Sequence, residues 1–228
     1  MSKIGTIVSR ARALKSFVTL VRDPSRLDQV FEVAEHGIEP RFLEDLVAHF
    51  SRDPRGRRAL QDRRRVHLDV ARLERAPAGS LGRAYLEHMR KNGLDPSAIP
   101  TLPATDATSY VQAHLYETHD IWHTVTGFGA DPVGEIGLQA FYLAQFPARL
   151  ASFLLAAGFL HVGLFHIEWK DALASEVVRG WEIGQRARPF FGVVWDELWD
   201  RPLEDVRRDL GVVVAERTAP VEETTRAA

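Results

Sequence analysis

The chain has 228 residues, 45% of them hydrophobic, with 29 Lys and Arg against 31 Asp and Glu for a net charge of -2. That size and apolar content suit one folded domain, and the near-balanced charge speaks against a general nucleic-acid binder. No cysteine is present, which excludes disulfides, thiolate metal sites and cysteine nucleophiles and is in keeping with a reducing compartment, so any metal must be held by His, Asp and Glu.

The N-terminus lacks a compact apolar run followed by a small-residue cleavage site, so export is not expected. Ile4, Ile7, Val8, Ala11, Leu14, Val18 and Val21 fall at helical spacing among Lys3, Arg10, Arg12, Lys15 and Arg22, which predicts a basic amphipathic helix over residues 1–22. Such a helix suits an anionic membrane surface, a mitochondrial presequence, or a first helix packing its stripe on the core. Asp23-Pro24 breaks it, and two amphipathic segments follow, Leu27 to Ala34 and Arg41 to Phe50. Seven arginines then crowd the span from Arg52 to Arg65, readable as solvated helix ends or as a phosphate- or headgroup-binding patch. Ser80 is an N-cap candidate for a helix that Asn92-Gly93 stops, and Pro96, Pro100 and Pro103 punctuate a loop.

The next helix begins at Asp106 or Thr108 and carries His119, Asp120 and His123, with Tyr116 on the same face. At about 100° per residue, Asp120 and His123 point roughly 100° and 40° round from His119, so the three can address one small volume. Thr126-Gly-Phe-Gly-Ala is turn chemistry, Asp131 is a plausible N-cap and Pro132 suits the first helical position. A second helix therefore starts at about Pro132, and its first turn returns Glu135, separated from His123 by eleven intervening residues, toward the two imidazoles. Two imidazoles and two carboxylates suit zinc, iron, manganese or cobalt. A surface helix with solvated His and Asp, or a buried polar network, is the bland alternative.

Leu150 to Ile167 is strongly apolar and sits at the lower edge of length for a membrane span. His161, His166 and two glycines inside it, with Glu168 and Lys170 just after, favour a helix buried in protein or along an apolar cavity, with the two histidines as core or cavity-lining groups. Trp181 to Pro189 continues a helix, Trp195 to Trp199 and Pro202 to Leu210 give a shorter and a longer helical piece, and Gly211 ends the pattern. No alternating strands appear. The fold class expected is an all-α, single-domain helical bundle over residues 23–211, preceded by the N-terminal helix and followed by a flexible tail over 212–228.

The constellation His119-Asp120-x-x-His123, eleven residues, Glu135 resembles the hallmark of the coenzyme Q biosynthesis protein 4 family. Leu81-Gly82-Arg83-Ala84-Tyr85, Tyr110-Val-x-x-x-Leu-x-x-x-His, Trp181-Glu-x-Gly184 and Trp195-x-Glu-x-Trp199 match more softly, so the resemblance covers about Val21 to Gly211. It implies an all-helical, usually dimeric protein with a divalent metal, generally zinc, and an isoprenoid-lipid cavity. It also implies a role in ubiquinone synthesis: removal of the C1 carboxyl of a polyprenylated 4-hydroxybenzoate, coupled to hydroxylation of that carbon, and assembly with other quinone-biosynthesis proteins. By motif, His119, Asp120, His123 and Glu135 are the ligands and act in catalysis through the metal. The short N-terminus points to a bacterial member, in the cytoplasm or on the cytoplasmic face of the inner membrane, over a mitochondrial one. Arg63-Arg64-Arg65 departs from the Arg-Pro expected there.

A 4-hydroxybenzoate loses its carboxyl group when C1 is attacked by an electrophile while the para oxygen supplies electrons. No flavin or nucleotide motif is visible, so the metal is left to polarise phenolate or carboxylate oxygen. Four protein ligands would saturate a tetrahedral zinc. Rival readings are a non-catalytic prenyl-lipid scaffold, a zinc metallohydrolase in which Asp120 is the general base, and a His-Asp phosphohydrolase using His88 and Asp171.

Overall fold

A computed structural model describes residues 3–23, 26, 41–98 and 101–215, with backbone alone for 3–11 and 98. The segment expected at 27–34 and the tail from 217 onward lie outside the described residues. Among the described residues there is no β-strand. The helices are α1 (Lys3–Arg22), α2 (Phe42–Phe50), α3 (Pro54–Asp62), α4 (Val70–Arg75), α5 (Leu81–Lys91), α6 (Ala107–Thr126), α7 (Pro132–Gln145), α8 (Arg149–Phe165), α9 (Lys170–Arg186) and α10 (Leu203–Leu210). The fold is an all-α single domain.

α6 is the axis of the molecule. Its start is a reciprocal capping box, the Asp106 carboxylate accepting from Ser109 N (2.8 Å) while Ser109 Oγ accepts from Asp106 N (3.0 Å). Its face toward the core carries Tyr110, Val111, Ile121, Trp122 and Val125, each at most 1% exposed. At its end Gly127 takes the left-handed conformation (φ 74°), as a C-cap glycine can at little steric cost. The carbonyls left unpaired there are claimed by two arginines: Arg207 donates to Thr124 O (3.0 Å) and Val125 O (2.9 Å), and Arg179 donates to Thr126 O (3.3 Å).

The turn then hands the chain to α7, where the Asp131 carboxylate accepts from Gly134 N (3.2 Å) and Pro132 occupies the first turn. α7 and α9 lie unusually close because small residues face each other. A Cβ added at Gly180 would collide with the Gly137 carbonyl, and one added at Gly184 would sit 2.6 Å from Ala144 Cβ. The first residues of α5 are held from elsewhere, Leu81 N donating to Arg201 O and Gly82 N to Trp199 O, both at 2.9 Å. Tyr85 packs on Trp199 with ring centroids 5.5 Å apart, so two stretches more than 100 residues apart in sequence form one unit.

Three local expectations change. In α1 the stripe is split: Leu14 and Val18 are 64% and 43% exposed, whereas Val21, at its end, is buried with Leu20 and Ala157 of α8, and Phe17 meets Phe153 of α8 edge-on. α8 is not enclosed either. His161, Val162, Ala157 and Gly158 turn inward, and His161 Nδ1 lies 2.9 Å from Val21 O, whereas Phe159, Leu160, Leu164 and Phe165 are 46–66% exposed. No described helix is long and apolar enough to cross a membrane. The arginine run, lastly, contains a helix of its own, α3, capped by Asp53 through Arg55 N and Gly56 N, and ending at Arg63 with φ 47°.

Candidate metal centre

His119 and His123 stand one turn apart on α6, and the first turn of α7 brings Glu135 up to them. His123 Nε2 lies 3.2 Å from His119 Nε2 and 3.1 Å from Glu135 Oε1, and His119 Nε2 lies 3.5 Å from Glu135 Oε2. These three side chains each offer a ligand atom within 4.8 Å of the others. His123 is fully buried, while the His119 and Glu135 side chains are 31% and 37% exposed, so the cluster opens to one side.

Hydrogen-bond bookkeeping tests whether a cation fits. His123 Nδ1 meets Phe128 O at 3.2 Å; a carbonyl only accepts, so Nδ1 carries the proton and Nε2 presents a lone pair. His119 Nδ1 meets the Tyr142 hydroxyl at 3.3 Å, which fixes the second ring the same way when that hydroxyl accepts. Two imidazole lone pairs and a carboxylate then face one point, an arrangement that needs a shared proton or a cation. Zinc bonds of about 2.0–2.1 Å place neighbouring tetrahedral donors ~3.3 Å apart, and the observed separations of 3.1, 3.2 and 3.5 Å bracket that edge. The donor set fits a divalent metal.

The electrostatics agree. Burial opposes charge on His119, but the hydrogen bond and charge of Glu135, with Asp120 behind, raise its pKa above the ordinary value. Burial also opposes charge on Glu135, yet His123 and His119 hold its carboxyl well below the usual carboxylate range. The site prefers opposite charges in contact, as a cation-binding carboxylate does.

A family model described as coenzyme Q (ubiquinone) biosynthesis protein Coq4 matches residues 5–216. The chain belongs to the Coq4 family. The ubiquinone biosynthesis protein COQ4, mitochondrial, of Yarrowia lipolytica is 30% identical over 200 residues, covering 83% of this chain and 74% of that one. The COQ4 homolog of Bos taurus is 32% identical over 197 residues, covering 83% and 72%. Among solved structures, a protein of Nostoc punctiforme assigned to ubiquinone biosynthesis superposes with a TM-score of 0.76 at 27% identity, covering 89% of this chain and 97% of that one. The all-α Coq4 fold therefore extends to a bacterial protein, in line with the expectation of a bacterial member.

Of the four Coq4 motif residues, His119, His123 and Glu135 converge and Asp120 stands outside the cluster. One residue on from His119, Asp120 is swung about 100° round α6. There it adds to burial, the larger effect, in pushing the hydroxyls of Tyr85 and Tyr116 above their ordinary pKa. Tyr116 shares the helical face of His119 three residues earlier, and from α7 the Tyr142 hydroxyl touches His119; its seven-residue offset from Glu135 puts both on one face of α7.

Two further groups of α5 flank the site. His88 stacks on His123 (5.3 Å, 21°), and burial first, then His123, lower its pKa to about 4. Its Nε2 and the Tyr85 hydroxyl are buried with no hydrogen-bond partner. Asp171 is exposed and paired with Lys170 at 2.6 Å, so the phosphohydrolase pairing of His88 with Asp171 is not assembled. His161 and His166 are outside the cluster, His166 lying flat on Trp169 at 4.0 Å.

Proposed function

We propose that this Coq4 protein is a metal-dependent carbon–carbon lyase of ubiquinone synthesis. In this reading it removes the C1 carboxyl of a polyprenylated 4-hydroxybenzoate in a step coupled to hydroxylation of that carbon. The observation that carries the reading is the convergence of His119 Nε2, His123 Nε2 and Glu135 on one point, because three protein ligands leave a fourth position free for substrate. A divalent cation bound there supplies Lewis acidity toward a carboxylate or phenolate oxygen of the ring.

The chain's own residues hold and shield that position. Phe128 O and the Tyr142 hydroxyl orient the two imidazoles, and Trp122, stacked on Tyr142 at 4.7 Å, keeps water from the back of the site. The unpartnered Tyr85 hydroxyl, held above its ordinary pKa by burial and then by the Asp120 charge, keeps its proton and so can donate a hydrogen bond to substrate oxygen. Proton attack at C1 gives plain decarboxylation, for which zinc suffices. Replacement by hydroxyl needs an oxidant, which favours iron or manganese over zinc.

A polyprenyl tail gains ~0.8 kcal/mol per buried CH₂, so its delivery is the harder problem. The exposed Phe159, Leu160, Leu164 and Phe165 of α8, together with exposed Leu14 and Val18 of α1, support docking on a membrane surface. Exposed Arg12, Lys15 and Arg22 supply charge for anionic headgroups. In a bacterium that is the cytoplasmic face of the inner membrane, and the apolar tail lodges along α8 beside the metal centre. The homodimer and the association with other quinone-biosynthesis proteins belong to the same reading.

The test is turnover of a short-chain prenylated 4-hydroxybenzoate by protein loaded in turn with zinc, iron and manganese, with and without oxygen. Loss of carbon dioxide release in a folded Glu135→Gln variant supports the enzyme, and unchanged release removes it. A metallohydrolase is the second reading, favoured by the two-histidine, one-glutamate donor set, which zinc hydrolases share. Hydrolysis of ester or amide substrates with no decarboxylation would replace the first reading by the second.

A further inference from the structure

The arginine-rich stretch plays no part in the metal centre, but it walls a second cavity. A cleft of about 770 Å³ lies between α3, residues 64–67, the start of α6 and residues 188–210, and none of His119, His123 or Glu135 lines it. Volumes of 300–1,000 Å³ are those of small-molecule sites. Six arginines and four carboxylates line it, and most cancel. Arg58 pairs with Asp62, Arg64 with Glu197 and Arg201 with Asp209, while Arg65 is taken from behind by Glu117 of α6. Asp196 is occupied by His67 N, the His67 ring and Trp199 Nε1.

Two guanidiniums remain. Arg55 has the Pro189 carbonyl as its side-chain partner (3.2 Å), and among the described residues Arg188 makes no side-chain hydrogen bond or close ion pair, its charge only adding to that of Arg201 in lowering the pKa of Asp209. The lining also holds two polar groups without partners. His114 and Trp195 are 3% and 1% exposed, and His114 Nε2 and Trp195 Nε1 are both unsatisfied. The Tyr110 hydroxyl donates to Arg64 O (3.2 Å), so its oxygen accepts from His114 Nδ1 (3.4 Å), leaving Nε2 as a lone pair in want of a donor. Trp195 Nε1–H wants an acceptor. Buried groups of this kind call for an occupant.

We propose that this cleft is a second binding site, for a phosphate monoester of a small hydroxylated molecule. The two charges of the phosphate match Arg55 and Arg188, one ligand hydroxyl donates to His114 Nε2, and a ligand oxygen accepts from Trp195 Nε1–H. The apolar edge formed by Val193 and Leu210 receives the carbon skeleton. A carboxylate, with one charge, would leave one guanidinium unmatched.

The test is calorimetric titration of the full-length, metal-loaded protein with glycerol 3-phosphate, inorganic phosphate and glycerol, and flotation with phosphatidic acid vesicles. Saturable binding of glycerol 3-phosphate, tighter than inorganic phosphate and absent for glycerol, is expected. Arg55→Gln with Arg188→Gln should weaken it at least ~10-fold, as loss of charge-assisted hydrogen bonds does. His114→Leu should bring glycerol 3-phosphate down to the level of inorganic phosphate, and Glu135→Gln should change neither, which separates this cleft from the metal centre. Both arginines are exposed, so the paired variant should keep its circular dichroism and melting temperature; the single Arg188→Gln serves should it not. No saturable heat at millimolar probe, binding indifferent to the arginines, or binding to vesicles alone would each overturn the proposal.

Discussion

Glu176 and Arg179 form a pair whose loss should be felt at the metal centre. Their side chains are 2% and 11% exposed, bonded at 2.5 and 3.2 Å. The guanidinium also donates to Thr126 O at 3.3 Å and lies 3.9 Å from the centroid of the Phe128 ring. Phe128 in turn holds His123 through its carbonyl. Glu176→Ala strands the guanidinium against an aromatic ring and one carbonyl, so the loss expected is that of a broken buried pair, about 3–5 kcal/mol. That is a large share of the roughly 5–15 kcal/mol that keeps a domain folded.

The double change Glu176→Leu with Arg179→Met removes both charges and should recover most of that stability. It should still weaken zinc binding by ~10-fold or more, because the loop that orients His123 has lost its clamp. Urea denaturation followed by tryptophan fluorescence, and zinc titration of each variant, measure the two effects. A loss under ~1 kcal/mol for Glu176→Ala, or a double variant no more stable than the single one, would refute the reasoning.

Gly180→Ala should cost at least ~1–3 kcal/mol, read by the same denaturation, because the new Cβ meets the Gly137 backbone and α9 must back away from α7. Tyr142→Phe frees His119 Nδ1 and should reduce zinc affinity by ~10–100-fold while leaving the fold intact by circular dichroism. His114, with a pKa lowered from 6.5 to about 4 by burial and then by Arg65, stays neutral in the folded chain while the unfolded chain takes up a proton. Its contribution is therefore whole above pH ~6.5 and is lost as pH falls toward ~4, by roughly 3 kcal/mol. Denaturation across that window should show the slope in wild type and a shallower one in His114→Leu.

The candidate site was legible in unusual detail because its parts are local. The cap at Asp131, the proline after it, the left-handed Gly127 and the returned Glu135 are all set within twenty residues of His119, where helix geometry governs. Asp120 shows the limit: a 100° offset allowed it to join the cluster, but only tertiary packing decides which neighbour a half-buried carboxylate faces. α1 shows a related limit. Periodicity marks an apolar stripe, but the partner helix decides how much of it is covered, and Val21 is buried with Leu20 against α8 while Leu14 and Val18 stay exposed. α3 starts from a local signal, Asp53-Pro54, inside a run whose arginines leave little apolar periodicity to mark a helix. Long-range pairs such as Arg65 with Glu117 leave no trace in a single sequence.

Metal content measured by plasma mass spectrometry on purified protein, beside a folded Glu135→Gln variant, tests the central claim most directly. One divalent ion per chain in the wild type, lost or bound at least ~10-fold more weakly in the variant, is the result expected of a His119, His123 and Glu135 centre. Wild-type protein that takes up no ion from excess zinc, iron or manganese, or a Glu135→Gln variant that holds the ion as tightly, would contradict it.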